Sequence, residues 1–263
     1  MEYEQILTDL DDGILTVTMN RPKRLNAWTY QMGAEMADAI RKANADDNIE
    51  GILLTGAGRG FCAGADIEDV FKAQSDGSVG DTPRMGNWVR LIRESKPIVA
   101  AINGPAIGVG LTQVLPCDLL IAAYDAKLSA RFVKMGVVPE LASSKFLTLR
   151  CGFGTATELA LTGRTVLGTE AAEIKLVDKA VPGDSLIAIA TQCLRSITEN
   201  PLEIVRSVKE LLTLNATEDD LDVVMARESE ALRRAYESPE HKEAIAAFIE
   251  RRDPDFRAAR RSR

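Results

Sequence analysis

At 263 residues the chain can bury one large domain, or a domain with a helical appendage. A formal charge of −7 argues against general nucleic-acid binding, which needs a cationic face, and a composition 46% hydrophobic and 27% charged is that of an ordinary globular protein. Cys62, Cys117, Cys151 and Cys193 fall in no CxxC or metal-ligand spacing; with an opening segment too acidic for a leader and an Arg-Ser-Arg end unlike a peroxisomal address, they predict reduced thiols in the cytoplasm.

In chain order, runs at 3–10 and 13–19 flank Asp11-Asp12-Gly13 and predict a β-hairpin. Met32, Met36, Ala39, Ile40 and Ala43 recur at helical spacing, predicting an amphipathic helix over 29–46. Gly51–Thr55 reads as a buried strand, followed by a glycine-dense loop, Gly56-Ala57-Gly58-Arg59-Gly60. Polar, glycine-containing residues 73–83 predict a mobile loop, and a helix is expected at about 84–95.

Residues 97–117 carry no charge over 21 positions, a length that suggests a membrane span. Asn103, Gly104, Pro105, Gly108, Gly110, Gln113 and Pro116 interrupt any single helix there. A strand at 97–102, a turn at Asn103-Gly104-Pro105 and a short helix near 108–115 are expected instead. Further strands are expected at 119–123 and 176–181. From Pro182 the pattern is helical, at roughly 184–198, 201–214, 218–236 and 240–251. Strands mixed with helices, then helices alone, predict an α/β core over 1–200 and a helical C-terminal region over 201–263. The six arginines against two aspartates in 251–263 read as a solvated tail.

A single histidine, His241, leaves little for a histidine-rich metal site or a triad. Gly60-Phe61-Cys62-Ala63-Gly64 has the form of a thiol nucleophile elbow, but loop residues separate it from its strand where an elbow needs the strand immediately before the first glycine. Gly56–Phe61 imitates a dinucleotide fingerprint with its third glycine misplaced. More informative are two strands that each end in a glycine-rich turn opening a helix: Phe61–Ile67 after Ile52–Thr55, and Asn103–Gly110 after Ile98–Ile102. Glycine lets backbone approach a ligand closely, and the start of a helix offers unpaired N–H donors. If the two turns face each other, they form an oxyanion hole, suited to a carbonyl that gains negative charge.

These segments carry a resemblance. Asn20-Arg21-Pro22 with Leu25-Asn26-Ala27, GRGFCAGADI at 58–67, KPIVAAINGPAIGVG at 96–110 and Cys117-Asp118 resemble the crotonase (enoyl-CoA hydratase/isomerase) family in order and spacing. GVVPELASS at 136–144, Thr162-Gly163-Arg164, Glu170-Ala171-Ala172 and the tail at 238–256 extend the likeness over nearly the whole chain. The resemblance implies a ββα spiral core with a helical C-terminal part, an acyl-CoA thioester as substrate and no cofactor beyond the coenzyme A that the substrate carries. It also implies a homotrimer or hexamer, with C-terminal helices at subunit contacts; apolar Leu221, Val224, Ile245 and Phe248 fit either that role or an intrachain core.

By the same resemblance the oxyanion donors are the backbone amides of Ala65 and Val109. Ala63, Gly64, Asp66 and Ile67 match the coenzyme A path, and Lys23, Arg24 and Leu25 an N-terminal coenzyme A contact; orienting its own turn is an equally open reading of Asp66. Family hydratases use two glutamates to hold and shuttle water. Those positions fall here on Thr112 and Phe132, which cannot serve as base and acid near neutral pH. Val138-Pro139-Glu140-Leu141-Ala142-Ser143-Ser144 instead resembles the Pro-Glu-x-x-Ser-Ser stretch of peroxisomal-type Δ3,Δ2-enoyl-CoA isomerases, where the matching glutamate is the proton shuttle. Glu140 is therefore the expected acid/base, placed at the start of a helix where burial would raise its pKa and the helix terminus lower it. Hydration with Glu140 as sole acid/base, and a homologue that binds acyl-CoA without turnover, are the other readings.

Overall fold

The computed structural model describes residues 3–71, 73, 77 and 85–261. The loop expected at 73–83 lies, apart from Ala73 and Gly77, outside the described residues.

A hairpin of β1 (Ile6–Asp11) and β2 (Ile14–Met19) opens the fold, turning through Asp12 and Gly13, both left-handed with φ of 42° and 79°. Two successive positive φ values give a turn whose twist matches that of the strands, which is why Asp-Gly serves here. Helix α1 (Tyr30–Ala45) buries Met32, Met36, Ile40 and Ala43, and the Thr29 side chain caps it by accepting from the Met32 amide. Strand β3 (Gly51–Gly56), helix α2 (Trp88–Glu94) and strand β4 (Ile98–Ile102) follow. Both strands are wholly buried, as suits parallel strands covered on two faces.

Next come β5 (Ala106–Ile107), the four-residue helix α3 (Val109–Thr112), β6 (Leu119–Ala123) and β7 (Lys127–Ser129). After a 3-10 turn at Arg131–Met135 come α4 (Ser143–Thr162), β8 (Val166–Leu167), α5 (Gly168–Glu173) and β9 (Lys179–Val181). The strands form a six-stranded sheet, β1-β2-β3-β4-β6-β9, parallel after its hairpin, and a three-stranded sheet, β5-β7-β8. This second sheet, with strands of two or three residues, was not expected from the sequence. It matters because β5 leads directly into α3.

The chain divides after Leu194, inside α6 (Leu186–Thr198), into two compact units. The C-terminal unit is helical: α7 (Leu202–Asn215), α8 (Leu221–Tyr236), α9 (Pro239–Glu250) and α10 (Phe256–Arg261). Asp220 caps α8 and Ser238 caps α9 through the His241 amide, while the His241 ring rests 5.3 Å from that of Tyr236. Among the described residues no helix is long and apolar enough to cross a membrane, and the 97–117 run resolves into β4, β5 and α3 with their turns.

Candidate active site

The two glycine turns meet. Cys62 pairs in parallel with Ala106, the Cys62 amide donating to Pro105 O at 2.8 Å and the Ile107 amide to Cys62 O at 3.0 Å. On the other side of the same segment, Ala65 pairs with Trp28: the Trp28 amide donates to Gly64 O and the Asp66 amide to Trp28 O, each at 2.8 Å. Approach is so close that a Cβ on Gly110 would lie 2.0 Å from Cys62 O, and one on Gly104 2.2 Å from Arg59 O. Here glycine is required by contact, and at Gly108 by a backbone with φ 55° and ψ −122°.

These pairings decide where two amides point. A trans peptide directs its C=O and N–H to opposite sides. Gly64 O is turned toward Trp28, so the Ala65 N–H faces away from it. Gly108 O accepts from the Leu111 and Thr112 amides along α3, so the Val109 N–H points back out of the helix start. Among the described residues neither N–H has a protein acceptor, and both residues line one cavity of about 470 Å³. Trp28, Ile67, Val70, Ile107, Met135 and Val138 give that cavity an apolar wall.

Glu140 lines the same cavity, and the Thr112 hydroxyl donates to its Oε1 at 3.3 Å. It does not begin the helix that the sequence predicts there: Leu141 and Ala142 both adopt left-handed φ, 50° and 54°, and α4 starts only at Ser143. This left-handed pair keeps Glu140 outside the helix, two residues before its N-cap Ala142. The residue as a whole is exposed, yet the cavity wall around its carboxyl pushes the pKa up, more strongly than the Thr112 hydrogen bond lowers it. Burial wins. Phe132 forms part of the wall and Thr112 is fully buried, so neither position of the two-glutamate pattern supplies a carboxylate.

Of the other expected site residues, Ala63, Gly64 and Ile67 line the cavity, while Lys23, Arg24, Leu25 and Asp66 do not. Lys23 and Arg24 are exposed on a 3-10 turn, Pro22–Arg24, joined to the site through Leu25 O, which accepts from the Ala63 amide at 3.0 Å. Asp66 is turned inward. It pairs with Arg21 at 2.9 Å and accepts from the Glu68 and Asp69 amides; burial alone would raise its carboxyl, but these partners hold it below the usual range. Asp66 thus orients its turn.

Cys62 is fully buried, with its thiol pushed up to about 11 chiefly by burial and its Sγ against Gly64 O. A neutral, enclosed thiol is no nucleophile. Two asparagines escaped the sequence reading as supports. Buried Asn26 accepts from the Arg21 amide and donates to Ala57 O and Gly60 O, while Asn103 donates to Gly56 O and Gly58 O. Their signal was present: each asparagine sits at a turn beside a glycine-rich loop whose carbonyls need donors.

Comparison with known proteins places the chain beside enzymes of one family and fold. The enoyl-CoA hydratase/isomerase family matches residues 9–259. The chain is 33% identical over 262 residues to the 1,2-epoxyphenylacetyl-CoA isomerase of Escherichia coli (strain K12), covering 96% of this chain and 98% of that one. It is 32% identical over 255 residues to the short-chain-enoyl-CoA hydratase of Clostridium acetobutylicum, covering 96% and 97%. The crystal structure of an enoyl-CoA hydratase from Bacillus anthracis superposes with a TM-score of 0.89 at 28% identity, covering 97% and 99%.

Proposed function

Because the chain belongs to the enoyl-CoA hydratase/isomerase family, whose crotonase fold it has, we propose that this acyl-CoA enzyme moves a double bond from the Δ3 to the Δ2 position of an enoyl-CoA. One observation carries the reading: Glu140 is the sole carboxylate, among the described residues, on a cavity wall that also holds the unpaired amides of Ala65 and Val109.

In this reaction Glu140 removes a proton from C2. The C2–H electrons form C1=C2 and the carbonyl π electrons move to the thioester oxygen, giving a dienolate; when the carbonyl re-forms, the C1=C2 electrons become C2=C3 and the C3=C4 π electrons take up a proton at C4. Amide donors aimed at that oxygen each stabilise such a state by about 3 kcal/mol. Glu140 then returns its proton to C4, so one group serves as base and acid and no net proton is needed. A carboxyl raised above the ordinary 4.5 of glutamate suits both halves, because the proton it takes is also readily given up to the dienolate. The acyl chain would lie along the apolar wall and coenzyme A along Ala63, Gly64 and Ile67, with exposed Lys23 near its phosphates and Arg24 beside it, ion-paired to Glu68. No further cofactor is required.

Water addition as family hydratases perform it lacks its two carboxylates at Thr112 and Phe132. The test is a matched panel of 2-enoyl- and 3-enoyl-CoA esters. Wild type is expected to turn over the 3-enoyl esters and to hydrate crotonyl-CoA only weakly. Glu140→Gln should lose about 10²- to 10⁴-fold in isomerisation while retaining CoA-ester binding. Undiminished turnover by that variant rejects Glu140 as the base, and strong hydration by wild type rejects the isomerase reading.

A further inference from the structure

We infer that Thr112 is a positioning residue for Glu140: its buried hydroxyl holds the carboxylate from the same four-residue helix that begins with the Val109 amide. The inference rests on the isomerase reading above and adds a residue to it.

Helix α3 is anchored from several sides. The Gly108 amide donates to Ser129 O at 2.9 Å, the Thr112 amide returns to Gly108 O at 3.0 Å, and Gly110 lies against Cys62 O. Glu140, by contrast, is on an exposed stretch between a proline and two left-handed residues. Among the described residues no side chain other than Thr112 bonds its carboxylate. One rigid helix therefore references both the donor to the thioester oxygen and the group that moves the proton.

A hydroxyl donor also stabilises the ionised form of its carboxylate partner. Thr112 acts in that direction, against the surrounding cavity wall. Arg131 is the one other charged residue lining the cavity among the described residues, and it makes no ion pair with Glu140; the lining residues from 28, 63–70, 107–109 and 132–138 are uncharged. Thr112 thus sets where the base stands and how far the pH can fall before it is neutralised.

The experiment is the pH profile of kcat/KM on a 3-enoyl-CoA for wild type, Thr112→Val, Thr112→Ala and Thr112→Ser. Valine keeps the shape and removes the donor, so the acid limb should move up by about 1 pH unit, the lower end of the effect of a hydrogen bond to a charged group. Alanine should do the same with a smaller side chain, which separates the effect from any packing defect special to valine. Serine should restore the wild-type limb. Unchanged limbs in the folded valine and alanine variants overturn the inference, as does a serine variant that shifts with them. Full activity in Glu140→Gln is a different result: it removes the isomerase reading itself, whatever the Thr112 profiles show.

Discussion

At Glu140 two opposing influences meet, and their balance explains what could be read from the residues. The likeness of Pro139-Glu140 and the two following serines to a family stretch nominated the carboxylate. The direction of its pKa was not readable, because that depends on side chains brought from 28, 67–70, 107–109 and 131–138. Leu141 and Ala142 hid the local geometry: neither residue type favours left-handed backbone, so a helix beginning at Pro139 was the natural expectation. Asp66 resolved the other way. Its role as turn support was one of two open readings, and the Arg21 pair with the Glu68 and Asp69 amides favours it. The thiol at Cys62 had a motif in its favour and burial against it, and motif spacing alone carries no information on burial.

At the scale of elements, the glycine turns were legible because glycine is the residue that both close approach and positive φ demand. Their contact was not legible, since it arises through β5, a strand of two residues that no periodicity can announce. Gly110 offers a direct measurement. Replacing it by alanine puts a methyl 2.0 Å from a backbone carbonyl that is itself paired to Ile107. Gly110→Ala should lower unfolding stability by about 3 kcal/mol or more, beyond ordinary overpacking, because backbone must move. Gly154→Ala is the control: its added Cβ meets nothing within 4 Å inside α4, so stability should hold or rise by up to about 1 kcal/mol. Denaturant midpoints of the two variants, taken with wild type, check both. Equal destabilisation would mean that the turns are not held as tightly as these distances imply.

For the whole molecule, the α/β class and the helical C-terminal part followed from the order of strand and helix patterns, and the motifs narrowed that class to the crotonase fold. Surface apolarity adds an expectation about assembly. Of the four apolar positions, Leu221 keeps 71% of its surface open, Phe248 84% and Ile245 48%, while Val224 is half-buried. Exposed apolar side chains of this kind fit the association that the family resemblance implies. Light scattering is expected to give a multiple of the 28.6 kDa chain, three or six copies by family likeness, and Phe248→Glu to reduce it; a monodisperse single chain would refute this. Exposure at Glu140 has a consequence of another kind. A proton lodged on a carboxyl that the cavity wall encloses only in part, on a residue otherwise exposed, can exchange before it reaches C4. With substrate deuterated at C2, the product should therefore carry only part of that deuterium to C4, and in D₂O an unlabelled substrate should acquire some. The ratio of label retained to label washed out then times the two halves of the reaction against solvent.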